Sequence, residues 1–266
     1  MRKSKLIFVT FVLILLSTTV VCATGFSYVQ SNVAQGTSSD VLQSLGSVVD
    51  QIYGSYKSCL GLTINIAGGK RLNSPNVSQS LMNEAYNNSS KKIVTVTGTC
   101  SEVAVLMLVK SYGFASTYTN EAAFIEIMNI AIDNNYWKNG TAVSNIDNLA
   151  TKSFTHFLSK KRGNNDILNM YNTIKSEVDE GKTSVFSCSN HSMLAVGYIS
   201  FEVSYYTLFL NIKNWKIWHS ATFDYIIVND GWSTATTDID SLQYSYYPAS
   251  LINVYSRLTK VTGYDS

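Results

Sequence analysis

The chain has little proline, little histidine, few cysteines and a low density of charge. Two prolines and 15 glycines in 266 residues exclude collagen-like and proline-rich stalk architectures. Four cysteines in a chain of this length cannot make a dense disulfide scaffold, so an apolar core must hold the fold. Charged residues make up 14%, and the formal net charge is only +2, far short of the basic excess that phosphate-backbone binding by counterion release requires. Nucleic acid is therefore not an expected partner. Zinc-ligand spacing, a phosphate-binding glycine loop and a dinucleotide fingerprint are also missing, so no metal or cofactor is implied. What the chain does have is 45% hydrophobic residues, enough to bury a full-sized core of one or two domains.

Arg2, Lys3 and Lys5 precede an apolar run from Leu6 to Leu16, which gives way to Ser17, Thr18 and Thr19. That order is a secretory signal's: it is too short for a membrane anchor, and Val21 and Ala23 suit cleavage after residue 23. Val20 and Val21 are poor neighbours for a lipidated Cys22. The expected mature chain begins at Thr24 and is secreted, with no stable membrane association once the signal is removed. Its cysteines are Cys59, Cys100 and Cys188, an odd number in an oxidising compartment. At least one thiol is then left over, with a Cys59–Cys188 bridge as an option for the others.

Residues 24–90 read as an amphipathic helix over Val41–Tyr56 followed by polar connections: a propeptide, a linker or a first lobe. The polar stretch Asn73–Lys92 is the candidate boundary. From residue 91 onward the texture is that of a folded domain. Helical periodicity covers Cys100–Tyr112, Glu121–Tyr136, Ser144–Lys160 and Asp166–Val178, with Arg162–Asn165 as a turn. Strand-like runs follow at Thr183–Cys188, Ser192–Ser200, Val203–Ile212, Phe223–Val228 and Leu251–Tyr255. Helices followed by strands predict an α+β domain with a mostly antiparallel sheet.

Thr99 and Glu102 have capping-box spacing, which puts Cys100 on the first residue of a helix, where the macrodipole favours a thiolate. The alternative is a small hydrophobe opening a buried helix. A nucleophilic thiol needs a base, and the chain offers His156, His191 and His219. His156 lies among Phe154, Phe157 and Leu158 and reads as packed, while His219 follows Trp218 in an aromatic segment. His191 instead opens the apolar strand that ends in Gly197-Tyr198. The next long strand ends in Asn229-Asp230-Gly231-Trp232, where an acid or amide could orient the imidazole.

This order of motifs resembles papain-like cysteine peptidases: Cys at a helix start, His at a strand start, then Asp-Gly-Trp. Within them it is most like the bacterial family related to the peptidases that remove double-glycine leaders from bacteriocins. Ser111-Tyr112-Gly113 after the nucleophile helix, and the helix, turn and strand over Ile174–Val185, match that family's pattern. So does the Cys100-to-His191 interval, longer than in compact cell-wall hydrolases and shorter than in papain. The resemblance spans about Ile93 to Tyr255 and implies a papain-like domain over 91–266 acting on a peptide or protein substrate. It makes Cys100 the nucleophile, His191 the general base and acid, and Asp230 the orienting residue, with Asn229 as alternate. The family's oxyanion-hole glutamine is missing from Ile93–Thr99, so Thr95, Thr97 or the Cys100 backbone N–H would have to serve. A binding or adhesion protein on a degenerate fold, or a cell-wall peptide hydrolase, are the alternatives. Asn190-His191-Ser192 matches a glycosylation acceptor that would crowd the base, which favours a bacterial, unglycosylated product. The aromatics Tyr205, Tyr206, Phe209, Trp215 and Trp218 are expected to pack a hairpin between the histidine and aspartate strands.

Overall fold

The computed structural model describes residues 45–166, 169–188, 191–211, 215–231, 244–252 and 255–263. The signal segment, Asn190 and Trp232 lie outside the described residues.

Six α-helices and seven strands are described. In chain order they are α1 (Leu45–Tyr56), β1 (Leu60–Arg71), α2 (Gln79–Asn87), α3 (Cys100–Ser111), α4 (Asn120–Asp133), α5 (Ile146–His156), β2 (Arg162–Asp166), α6 (Met170–Asp179), β3 (Ser184–Cys188), β4 (His191–Leu208), β5 (Lys216–Asn229), β6 (Ser245–Pro248) and β7 (Arg257–Thr262). The strands form one antiparallel sheet in the order β2-β7-β3-β4-β5-β6, and β1 also pairs with β4. β3 and β1 lie end to end along the same edge of β4: β3 is in register as far as Ala195, and β1 takes over at Gly197. This is the expected mixture of helix and antiparallel sheet.

The core is divided by the sheet. Val185, Leu194 and Val196 face the cluster built with α1 to α5, whereas Phe186, Met193 and Ala195 face α6 through Met170, Ile174 and Val178. Alternation along a strand buried on both faces produces this split. The pivot is α3, whose residues Ser101 to Val109 are all buried. A helix apolar on every side has no solvent face and must be enclosed, as this one is by β4, α4 and α5.

Several elements depart from the sequence expectation. The polar stretch Asn73–Lys92 holds α2, which buries Met82 and Tyr86 in the same core as α3 and α4. Its polar groups are used internally: Tyr86 Oη donates to Asn129 Oδ1 (3.1 Å), and the Asn87 amide bonds both N–H and C=O of Val96. β1 was hidden because only Leu62 and Ile64 alternate toward the core while its other residues are exposed. Arg162–Asn165, expected as a turn, and Asp166, expected to open a helix, form an edge strand on β7. The two runs Ser192–Ser200 and Val203–Ile212 merge into one 18-residue strand that ends at Leu208, since Glu202 points to solvent and does not break the pleat; Ile212 lies outside the described residues. The run Leu251–Tyr255, expected as a strand, begins at the end of a 3₁₀ turn over Ala249–Leu251, and its residues 253 and 254 lie outside the described residues. Pro248 closes β6 on the sheet edge, where its missing N–H costs no ladder bond.

Gly197 marks the place where β1 meets β4. A Cβ there would stand 2.4 Å from the Lys70 carbonyl oxygen, a backbone atom. We predict that Gly197→Ala destabilises the protein by about 1–3 kcal/mol. Gly68→Ala, with open space around it, should be close to neutral. Urea unfolding of both variants checks this, and equal effects would contradict it.

Candidate active site

Gly98 turns the chain into α3 with φ +66, and Cys100 follows as the helix's first residue. The capping box does not form. Thr99 makes no side-chain cap bond and donates instead to Asn83 Oδ1 (2.5 Å), while Glu102 accepts from Thr141 Oγ1. Because this helix end is enclosed, its polar side chains are committed to tertiary partners and not to local caps. Glu102 is fully buried, with a second carboxyl oxygen that has no hydrogen bond among the described residues. Burial pushes its pKa up to about 7, against the Thr141 bond that lowers it.

The first turn of α3 meets the first residues of β4. The backbone N–H of Ser192 hydrogen-bonds the Cys100 sulfur, and Ser101 Oγ lies 3.1 Å from Ser192 Oγ, which in turn is 2.9 Å from Ser187 Oγ. His191 is the neighbour of Ser192 and is 3% exposed. Cys100 and His191 line one cavity of about 780 Å³ with Gln79, Gly98, Ser101, Thr141 and Ser192. The Tyr136–Asn145 connection supplies most of the opposite wall. A volume of this order suits a ligand site. His156 and His219 lie elsewhere: one is 3.6 Å from Glu126 at the end of α5, and the other is stacked on Tyr205 in the β4–β5 ribbon.

The end of β5 closes the arrangement. His191 hydrogen-bonds the backbone of Asp230, and the Asp230 carboxylate accepts from Ser245 Oγ at 2.8 Å. Asn229 is fully buried and braces the 74–75 segment through Ser74 Oγ (2.9 Å) and the Pro75 carbonyl (3.0 Å), while its own Oδ1 accepts the Gly231 N–H. Asn229 thus fixes the strand end, and the backbone of Asp230 is what meets the imidazole. Gly231 has φ +70 and packs so closely on α3 that a Cβ would stand 2.9 Å from Val103 Cγ1.

Thr95 and Thr97, the expected oxyanion donors, are exposed, and the residues of this segment that line the cavity are Gly98, Cys100 and Ser101. Gln79 does line the cavity, and its backbone N–H donates to the Gly231 carbonyl at 2.7 Å. A search confined to the residues just before the cysteine misses it, since α2 delivers it from more distant sequence.

The electrostatics also differ from expectation. Burial raises the Cys100 thiol pKa, the Ser192 N–H partly offsets this, and a Glu102 carboxylate would raise it further. Burial lowers the His191 pKa to about 4, with the Asp230 backbone acting in the opposite sense. Desolvation outweighs the helix-terminal field, so a neutral thiol and a neutral imidazole line the same cavity. Cys59, Cys100 and Cys188 make no disulfide among the described residues. A scan against protein-family models and a search of curated proteins each return no match for this chain.

The buried carboxyl has a consequence for stability. Its folded pKa, about 7, exceeds its ordinary 4.5, so between those pH values the folded state holds the extra proton, and stability falls as pH rises. Glu102→Gln keeps an acceptor for Thr141 and does not titrate. Its urea midpoint should gain on the wild type from pH 5 to pH 8, and a difference that stays constant with pH would contradict this. His191, common to both proteins, cancels in the comparison.

Proposed function

We propose that this chain is a secreted cysteine peptidase of papain-like type, a thiol amide hydrolase acting on a peptide or protein substrate. The observation that carries the reading is one cavity walled by Cys100, His191 and Gln79, joined by the Ser192 bridge between α3 and β4. Among the described residues no helix is long and apolar enough to cross a membrane.

The chemistry follows from the resting protonation. His191 is neutral above about pH 4 and can take the Cys100 proton as the sulfur attacks an amide carbonyl, so no preformed ion pair is required. The Gln79 side chain and the Cys100 backbone N–H are the candidate donors for the developing oxyanion. The protonated imidazole then hands its proton to the leaving amine as the C–N bond breaks, leaving a thioester. His191 next draws a proton from water, the hydroxide equivalent adds to the thioester, and the acid departs as the thiol is restored. The Asp230 backbone holds the ring through both halves.

A second reading, a binding protein on the same fold, draws support from the upward-shifted thiol. Peptide-library cleavage separates the two. The peptidase reading expects cleavage that falls about 10³-fold or more in Cys100→Ser and in His191→Ala. Gln79→Ala should lose about 10²–10³ in kcat with the fold intact. The acid limb of kcat/KM should lie near pH 4, where the buried imidazole becomes protonated, and not near 6.5. Cleavage unchanged in Cys100→Ser would refute the reading, and binding without turnover would favour the second.

A further inference from the structure

The Tyr136–Asn145 wall of the cavity is a built turn. Trp137 and Thr141 pair as an isolated antiparallel bridge, and the Lys138 N–H donates to the Gly140 carbonyl at 3.0 Å, so Lys138, Asn139 and Gly140 form a closed loop. Asn139 at φ 60 and Gly140 at φ 131 take positive-φ backbone that asparagine and glycine tolerate. The loop is tied to the first turn of α3: Thr141 Oγ1 donates to Glu102, and the Thr141 carbonyl accepts from Ser101 Oγ at 3.4 Å. Its backbone also lies against the turn that precedes Cys100. A Cβ on Gly140 would stand 3.7 Å from the Gly98 carbonyl oxygen, and one on Gly98 would stand 4.0 Å from that of Asn139. The same helix start therefore places both the sulfur and the loop.

Charge in the cavity is one-sided. Among the described residues that line it there is one lysine, Lys138, and no arginine, aspartate or glutamate. Glu102, the acid closest in sequence to Cys100, is fully buried behind Thr141 and does not line it. Lys138 is exposed, and its side chain makes no ion pair or hydrogen bond among the described residues. Asn135, Asn139 and Asn145 on the same wall are neutral amides, able to hydrogen-bond peptide groups without adding charge. An unpaired ammonium in a concave site without carboxylates concentrates anionic ligands and meets them as a point charge. On a peptide, that anion is a carboxylate.

We propose that Lys138 selects substrates that carry a carboxylate within a few residues of the bond Cys100 attacks, supplied by an Asp or Glu side chain or by a chain terminus. The scissile bond rests on the peptidase reading; the carboxylate contact does not. The test offers the full chain three peptide series: one neutral and C-terminally amidated, one amidated with Asp or Glu at each position in turn, and one neutral with a free C-terminal carboxylate. The wild type should favour an acid-bearing series in kcat/KM, and the series that gains identifies the source. Lys138→Gln should cut the acid-over-neutral ratio about two- to fivefold, and Lys138→Glu should reverse it. Should the reversal disturb the turn, Lys138→Gln carries the test. Lys57→Glu makes the same charge change outside the cavity and should leave the ratio where it is, while high salt should flatten it. Cleavage with a ratio indifferent to Lys138, or one that Lys57→Glu moves as far, would overturn the proposal and leave the peptidase reading standing. If no series is cleaved, fluorescence anisotropy of the same peptides decides. Tighter binding of an acid-bearing series, reversed in Lys138→Glu, would sink the peptidase reading and uphold the carboxylate site; binding indifferent to charge would sink both.

Discussion

The contact that organises the molecule is the approach of the first turn of α3 to the first residues of β4. The Ser192 N–H on the Cys100 sulfur and the Ser101–Ser192 hydroxyl contact hold a helix start to a strand start from distant parts of the chain. Neither element can move alone. α3 is enclosed on all sides from Ser101 to Val109, and β4 is paired along both edges. The cavity between them is therefore a product of the core, bounded by groups whose protonation the core sets.

Burial has a double effect there. It gives a confined cavity, and it removes the solvation that an ion pair would need. With the thiol pushed up and the imidazole down, the site keeps its proton on sulfur. Glu102 extends the same logic. A carboxyl two residues from Cys100 would oppose a sulfur anion if ionised, and its enclosure behind Thr141 holds it protonated to about pH 7.

Some of this was legible in the sequence for physical reasons. Strong periodicity survives wherever an element buries a full face, so the helix starting at Cys100 was predicted near its observed limits and the strand starting at His191 near its observed start. Elements supported chiefly by their neighbours were not. β2, with the sequence Arg-Gly-Asn-Asn-Asp, has no intrinsic preference for a strand and exists because β7 offers an edge. α2 buries only Met82 and Tyr86 and resembles a linker until α4 is packed against it. The candidate site divides in the same way. Cys100 and His191 carry local signatures, a turn into a helix and the onset of an apolar strand. Gln79 carries none, because its relation to the cavity depends on where α2 packs and on its backbone bond to Gly231. The capping box at Thr99 and Glu102 was a local rule overruled by enclosure.

The central claim, a neutral imidazole sharing its crevice with the Cys100 sulfur, is tested most directly by following the His191 ring resonances through a pH titration before and after alkylation of Cys100. The account predicts a transition near pH 4 and ring resonances that shift when the sulfur is alkylated. A transition near the ordinary histidine value, with resonances indifferent to the state of Cys100, would contradict it.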